Sequence, residues 1–291
     1  MKIVVFGGSG FLGSHVVDKL VSDGHEVTNF DCVLSRYQTS NFETVIGSIL
    51  DLPSVNSILV GVDAIYHFAG IADISTANSE PLKAMAVNTL GTLNLLEACR
   101  TNNVSKFIFA SSLYVHSREG GIYRCSKMAA EELIYEYNQQ HGLEYVVLHY
   151  GSLYGPRSGL ENGLHRIVEE AMRTGRVRYS GHKDTLREYV FVEDAAESTV
   201  KMLDPFFSNS CITIAGSQSQ RIADVLGIIA ETIGITREVE FTEQYYVGHY
   251  VRTPYALRRP ASRKYTPPLQ TDFAHGILKL VEQFDTEPQQ G

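Results

Sequence analysis

Cysteine is sparse in this chain: among 291 residues there are four, Cys32, Cys99, Cys125 and Cys211. They are widely scattered and follow neither a metal-binding nor a redox spacing, so a disulfide framework and a thiolate metal centre are both excluded. Reduced thiols, and no metal, are expected. No apolar run reaches the ~18 residues that a membrane helix needs. The first strand starts at once, without the pattern of a signal peptide, so no membrane partner and a cytoplasmic location are expected. Positive charge is also short, with 25 Lys and Arg against 33 Asp and Glu and a formal net charge of −8. No basic run offsets that balance, which argues against a nucleic-acid partner and leaves any anionic ligand to local cations. Repeats and low-complexity tracts are absent apart from a polar tail after Asp285.

What the chain does have is apolar content, 44% of residues, enough for a large core. It also has a glycine-rich turn near its start. The run Lys2-Ile3-Val4-Val5-Phe6 reads as a strand, Gly7-Gly8-Ser9-Gly10-Phe11-Leu12-Gly13 as a turn, and Ser14 to Val21 as an amphipathic helix. Glycines three apart at a strand-to-helix junction let backbone N–H groups approach a pyrophosphate, with the partial positive charge of the helix start behind them. His25 to Phe30 reads as a second strand with Asp31 at its end, 18 residues beyond Gly13. That is close to the ~20-residue interval at which a carboxylate meets the adenosine ribose hydroxyls. A dinucleotide site follows, with NAD favoured over NADP, although Arg36 lies near enough to blur the preference.

Apolar runs and helical periods then alternate as in a doubly wound parallel sheet, a Rossmann-type α/β fold. Strands are expected at Lys2 to Phe6, Glu26 to Phe30, Thr44 to Ile46, Ala64 to Phe68, Lys106 to Ala110 and Tyr145 to His149. Helices should begin near Gly10, Pro53, Pro81 and Tyr123; a proline suits the first helical turn because its missing N–H has no partner to lose there. After Gly155-Pro156 the alternation breaks up. Helices are expected over Leu164 to Thr174, Val192 to Leu203, Ile222 to Ile233 and Phe273 to Phe284, with a strand near Ile212 to Ile214. Residues 1–155 therefore read as the dinucleotide-binding domain. Residues 156–285 read as a smaller, mainly substrate-binding lobe, some of whose segments return to the main sheet, and 286–291 as a tail.

The chemistry gathers around the fifth strand. Ser111-Ser112 follows Phe107-Ile108-Phe109-Ala110, and Tyr123 precedes Lys127 by four positions. Residues at i and i+4 share a helix face, so the ammonium can sit beside the phenol and favour its ionised form. A serine hydroxyl brought opposite would hydrogen-bond the oxygen that gains or loses a proton during hydride transfer. Ser112, Tyr123 and Lys127 then make one acid–base unit.

With these motifs the chain resembles the extended short-chain dehydrogenase/reductase family, in particular its nucleotide-sugar epimerase and dehydratase branch. The likeness extends through His67-Phe68-Ala69-Gly70, Asn88-Thr89-Leu90-Gly91-Thr92, Leu153-Tyr154-Gly155-Pro156-Arg157 and Arg187-Glu188-Tyr189-Val190-Phe191-Val192-Glu193-Asp194. The resemblance implies that Ser112 is the active-site serine, Tyr123 the acid–base, and Lys127 its partner, also bound to the nicotinamide ribose. It implies that Gly7, Gly10, Phe11, Leu12 and Gly13 hold the dinucleotide with Asp31. Ser48 and Ile49 then lie near adenine, Phe68, Ala69 and Gly70 along the cofactor, Asn88 beside it and Tyr150 near the nicotinamide. Ser152 is expected at the sugar, and Arg187, with Arg252 as a second candidate, at the nucleotide diphosphate. The helices Pro81 to Thr101 and Tyr123 to His141 resemble those of a homodimer interface.

The chain also departs from that pattern. Gly47-Ser48-Ile49 has a hydroxyl where relatives carry an aspartate, eleven positions separate Ser112 from Tyr123 where a longer loop is usual, and His149 stands in place of arginine. Ser152 replaces an asparagine. Leu113-Tyr114 follows Ser112, where a sugar dehydratase places Asp-Glu to move the extra protons. Dehydration and decarboxylation therefore rank below two reactions that need only the Ser, Tyr and Lys unit. These are C4 epimerisation, which Asp31 favours through NAD, and reduction of a 4-keto sugar. A reductase of non-nucleotide carbonyls and a non-catalytic dinucleotide-binding regulator stay open behind them.

Overall fold

The computed structural model describes residues 1–39, 41–236, 239–242 and 262–286. In chain order the first half runs β1 (Lys2–Phe6), α1 (Phe11–Ser22), β2 (Glu26–Asp31), β3 (Glu43–Ile46), α2 (Leu52–Ile58), β4 (Ala64–His67), α3 (Ile74–Ser79) and α4 (Pro81–Met85). A π-helical turn (Ala86–Leu90) leads into α5 (Gly91–Asn102), then β5 (Lys106–Ser112), a 3₁₀ turn (Leu113–His116), α6 (Gly121–His141) and β6 (Glu144–Tyr150). The second half is made of shorter pieces: β7 (Ser152–Tyr154), α7 (Gly163–Thr174), β8 (Arg178–Ser180), β9 (Leu186–Arg187), β10 (Tyr189–Phe191) and α8 (Val192–Val200). They continue as β11 (Ser210–Ile214), β12 (Gln220–Arg221), α9 (Ile222–Ile233), β13 (Glu240–Thr242), β14 (Arg263–Tyr265) and α10 (Phe273–Thr286).

Eight strands form one sheet in the order β14-β11-β6-β5-β4-β1-β2-β3, and every neighbouring pair is parallel. Such a sheet is covered on both faces, so its strands are continuous apolar runs. Ile3, Val4, Val5 and Phe6 are all fully buried. Ile3 and Val5 point into the core shared with Val16, Val17 and Leu20 of α1 and Ala195, Ala196 and Val200 of α8. Val4 and Phe6 point the other way, toward Val55 of α2 and Leu59 at its end, Leu95 and Leu96 of α5 and Ala130 and Ile134 of α6. Each fully buried side chain of this size contributes roughly 1.5–3 kcal/mol relative to exposure. A third core, built by Leu164 and Val168 of α7, Val225 and Ile229 of α9 and Ile277 and Leu280 of α10, belongs to the second half.

The expected strands and helices are all present, β4 ending at His67 rather than Phe68, and three differences have a local cause. β5 runs on through Ser111 and Ser112, because both stay paired with His149 and Tyr150 of β6. The helix expected over Val192 to Leu203 ends at Val200 and tightens into a 3₁₀ turn at Lys201–Leu203. The short α3 is additional: Asp73 caps it by accepting from the Thr76 N–H at 2.7 Å, a local bond that nucleates a helix too short to show a periodic apolar face.

The strand order reverses beside β1, whose neighbours are β2 on one side and β4 on the other. In an open parallel sheet the crevice outside the carboxyl ends of strands at such a reversal is the natural ligand site. The glycine turn, Asp31, Phe68 and Ser112 all lie at those ends.

Candidate active site

The turn after β1 is tight enough to explain its glycines individually. Gly7 has φ +85°, and a Cβ there would lie 2.4 Å from the Ala69 N, so β1 and the end of β4 approach backbone to backbone. A Cβ on Gly13 would lie 2.2 Å from the Gly7 O, closing the turn onto the first helical turn. Gly10 is the N-cap of α1 and no side chain caps that end, which leaves its first N–H groups for a ligand. Phe11 and Leu12 pack into the neighbouring core and offer this turn their backbone. Asp31 stands beside the turn, accepting from the Ser9 N–H at 3.0 Å and the Val33 N–H at 3.2 Å. The Cys32 thiol bonds it too, and an ionised carboxylate has about four acceptor positions, so capacity remains for a hydroxyl donor. Asn29, fully buried in β2, braces the turn from behind by donating to Ser9 Oγ at 2.9 Å and Thr44 Oγ1 at 3.1 Å.

Further along the same edge, Phe68 and Ala69 both donate their N–H to the Phe6 O, and the Phe68 ring stacks on Tyr66 with centroids 6.1 Å apart. A Cβ on Gly70 would lie 2.8 Å from Asn88 Oδ1 and 3.7 Å from Lys127 Nζ, which brings three expected site residues together. Asn88 sits on the π-helical turn, a feature common at functional sites. It accepts from the Ile71 N–H at 2.7 Å and donates to the Ile71 O at 3.0 Å and Ser126 Oγ at 2.9 Å. Its amide therefore ties the loop after β4 to α6, one residue before Lys127. Ile49 lies against Gly91 of α5 and its carbonyl accepts from Asn94 at 3.0 Å. Ser48 Oγ accepts from the Leu50 N–H at 3.2 Å.

Lys127 is buried on α6 and donates to the Ala110 O at 2.8 Å, two residues before Ser112. Its Nζ also lies 4.7 Å from the centre of the Phe109 ring. Burial lowers its pKa to about 8, against an opposing pull from Glu131. Tyr123, one helical turn earlier, is buried as well, and its ring meets Tyr114 edge to face at 6.3 Å. Ser112 is buried at the end of β5, where its Oγ accepts from the Tyr114 N–H at 3.3 Å. α6, which carries Tyr123, and β5, which ends in Ser112, are thus joined directly by Lys127.

A sequence model of the NAD dependent epimerase/dehydratase family matches residues 3–211. The chain belongs to that family. It is 26% identical over 300 residues to a putative UDP-glucose 4-epimerase of Methanocaldococcus jannaschii, covering 96% of this chain and 97% of the relative. It is 27% identical over 310 residues to UDP-glucuronic acid decarboxylase 1 of Xenopus tropicalis, covering 98% of this chain and 72% of the relative. Among solved structures, Thermus thermophilus UDP-glucose 4-epimerase in complex with NAD superposes with a TM-score of 0.83 at 26% identity, covering 98% of this chain and 99% of that one. The chain is accordingly an enzyme of the nucleotide-sugar epimerase/dehydratase kind.

Other expected site residues of this epimerase/dehydratase lie apart from that cluster. The Tyr150 phenol turns toward α8 and hydrogen-bonds Thr199 Oγ1 at 2.7 Å, whereas its neighbours His149 and Ser111 face α6. Ser152 lies on β7, paired with Tyr189 of β10. Arg187 belongs to the small β9–β12 pair, and its Nη1 donates to the Leu186 O at 3.0 Å. Arg252 lies outside the described residues. Among the described residues no helix is long and apolar enough to cross a membrane. All four cysteines are free, Cys99 and Cys211 buried, Cys32 and Cys125 exposed.

Asn29, Ser126 and Glu131 were not expected at the site from the sequence. Asn29 stands in an apolar strand, where a buried amide must find partners. Glu131 follows Lys127 by four, the same helical spacing that singles out Tyr123, so that interval carried a usable signal.

Proposed function

We propose that this enzyme is an NAD-dependent nucleotide-sugar 4-epimerase acting on a UDP-sugar, with Tyr123 as the acid–base. The observation that carries the reading is the Lys127 bond to the Ala110 O, which locks the Tyr123 helix to the Ser112 strand at the sheet reversal. The turn fits a dinucleotide: Gly7 and Gly13 let β1, the end of β4 and the start of α1 close up backbone to backbone, that start is uncapped by side chains, and Asp31 keeps acceptor capacity for a ribose hydroxyl. Gly7, Gly10, Phe11, Leu12 and Gly13 would hold the pyrophosphate through backbone, Asp31 the adenosine ribose, and Ser48 and Ile49 the adenine edge. Phe68, Ala69, Gly70, Asn88 and Lys127 would border the nicotinamide half, whereas the Tyr150 phenol is taken up by Thr199. When bound, NAD supplies a reversible hydride acceptor.

The side chains of this chain handle the proton. Tyr123 Oη takes it from the sugar 4-hydroxyl as that carbon is oxidised, and returns it to the same oxygen when the carbon is reduced on its other face. The Lys127 ammonium favours the phenolate that starts the cycle. Ser112 Oγ donates to the sugar oxygen and steadies the charge that develops there. Arg187, Arg252 and Ser152 serve the diphosphate and sugar, since a bidentate guanidinium suits phosphate. The residues after Ser112 favour epimerisation over loss of water or carbon dioxide: Leu113 is buried and apolar, and Tyr114 packs on Tyr123, so no carboxylate occupies either place.

A second reading, reduction of a 4-keto nucleotide sugar, draws on the short segment between Ser112 and Tyr123, which folds back as a 3₁₀ turn with His116 against His149. The two readings separate on the purified protein. The epimerase releases oxidised NAD on denaturation and interconverts UDP-glucose with its C4 epimer, followed by proton NMR. An empty protein that binds NADPH instead supports the reductase, and failure of UDP-, GDP-, CDP- and dTDP-sugars alike to raise the melting temperature contradicts both. A homodimer through α5 and α6 is part of the same proposal; Leu82 and Leu90 at their edge are 87% and 50% exposed, and light scattering reads the mass.

A further inference from the structure

Behind the acid–base helix lies a polar cluster that the reaction as described does not use. Glu131 on α6 is 7% exposed. Its Oε1 accepts from Ser111 Oγ and from His149 Nε2, the latter at 2.9 Å, and its Oε2 accepts from the Tyr135 hydroxyl at 3.2 Å. His149, 1% exposed on β6, places its other nitrogen 3.4 Å from His116 Nε2 and 3.2 Å from Ser262 Oγ. Ser262 reaches Thr213 Oγ1 of β11 at 2.6 Å, and the Tyr135 hydroxyl lies 3.2 Å from Cys211 Sγ.

Three members of this cluster adjoin the acid–base unit in sequence. Ser111 adjoins Ser112, Glu131 follows Lys127 by one helical turn, and His116 belongs to the short segment that joins Ser112 to Tyr123. We propose that Glu131 is a positioning residue for Lys127: it supplies the buried counter-charge for the ammonium and, through Ser111 and His149, fixes the end of β5 and the short segment against α6. The proposal rests on the reading of Lys127 as the partner of Tyr123.

Three observations carry it. Lys127 donates to a carbonyl, a neutral acceptor, and lies near the Phe109 ring and Gly70, which carry no charge either, so the buried ammonium calls for an anion nearby. The groups facing Glu131 from β5, β6 and its own helix are all donors, Ser111, His149 and Tyr135, which is the environment of a carboxylate. Burial pushes the Glu131 carboxyl up, but the His149 and Ser111 hydrogen bonds and nearby histidine charge outweigh it and hold it below the usual range. Glu131 in turn is the group that pulls Lys127 upward against its burial. His149 also accounts for two departures from the family pattern at once: it replaces an arginine on β6, and it is the surface onto which the shortened segment folds through His116, ring centroids 4.4 Å apart.

The test follows the titration of the Lys127 ammonium by nitrogen NMR in the full-length protein, alongside turnover as a function of pH. Glu131→Gln keeps the shape and removes the charge, and is expected to lower the Lys127 midpoint by about one pH unit. Glu131→Asp restores most of the shift. His149→Phe withdraws a donor that holds the Glu131 carboxylate in place, so the charge is no longer fixed toward α6 and the Lys127 midpoint falls in the same direction; His149→Gln, which keeps an N–H toward Glu131, leaves it near the parent value. A role in packing alone would lower the melting temperature of these variants without moving the midpoint. An unchanged midpoint in folded Glu131→Gln, or in His149→Phe should the former not fold, overturns the proposal. The NMR reading does not require turnover, so a protein inactive on UDP-sugars with a shifted Lys127 would refute the epimerase reading and retain this one.

Discussion

A buried ammonium is the residue on which the site turns, and its cost has a sign. Lys127 titrates near pH 8 in the folded chain against 10.5 ordinarily, because burial disfavours its charge. Below pH 8 both folded and unfolded chains hold the proton, and the full cost of burying it is present. Between about pH 8 and 10.5 the unfolded chain holds a proton that the folded one has released, so folding gains as pH rises through that window. Lys127→Met should therefore be more stable than the parent near pH 7 in the cofactor-free protein, by about 3 kcal/mol at most. The advantage should shrink toward nothing by about pH 10. Chemical denaturation of the pair at four or five pH values checks this, and a pH-independent difference would contradict it. In the proposed mechanism, the stability given up at Lys127 supplies the charge that favours the Tyr123 phenolate.

At the scale of elements, the β1–α1 turn is built from contacts between backbones, and such contacts do not yield. A methyl on Gly13 would meet the Gly7 O at 2.2 Å and the Gly8 Cα at 2.9 Å. Overpacking of this kind costs typically 1–3 kcal/mol, so Gly13→Ala should weaken NAD binding by roughly 10- to 100-fold while the remaining strands stay paired. Calorimetric titration with NAD reads the loss, and unchanged affinity would show that the dinucleotide does not use this turn. The turn was legible in the sequence because glycine spacing, an apolar strand before it and an acidic residue after the next strand are all local signals. The strands flanking it were legible for the same reason, since burial on both faces makes them unbroken apolar runs. The small pairs β7–β10, β9–β12 and β8–β13 were not, because two or three residues carry no period. Nor was the side on which Tyr150 lies: its strand position beside Ser112 follows from the pattern, but its bond to Thr199 joins residues 49 apart in sequence.

Over the whole molecule, the sheet reversal does the assembling. It brings together Gly7, Asp31, Phe68, Asn88, Ser112 and Lys127, which are spread over 120 positions of the chain, at the carboxyl ends of four adjacent strands, β2, β1, β4 and β5, and on the helical segments that follow them. The second half supplies its own core and adds β11 and β14 to the edge of the same sheet, so the lobe expected to meet the sugar is anchored to the sheet that positions the acid–base unit. That anchoring was only partly readable: a strand near Ile212 was evident, whereas the pairing of β11 with β6, residues 210–214 with 146–150, is set by tertiary packing. In the proposed function, NAD and a UDP-sugar meet at this edge and all the proton chemistry passes through a single phenol. Tyr123→Phe tests it, because the variant keeps the ring and its packing on Tyr114 and loses only the hydroxyl. Turnover of UDP-glucose, measured beside NAD affinity, should fall by a factor on the order of 1,000 or more with NAD binding unchanged; turnover within a few-fold of the parent would contradict the account.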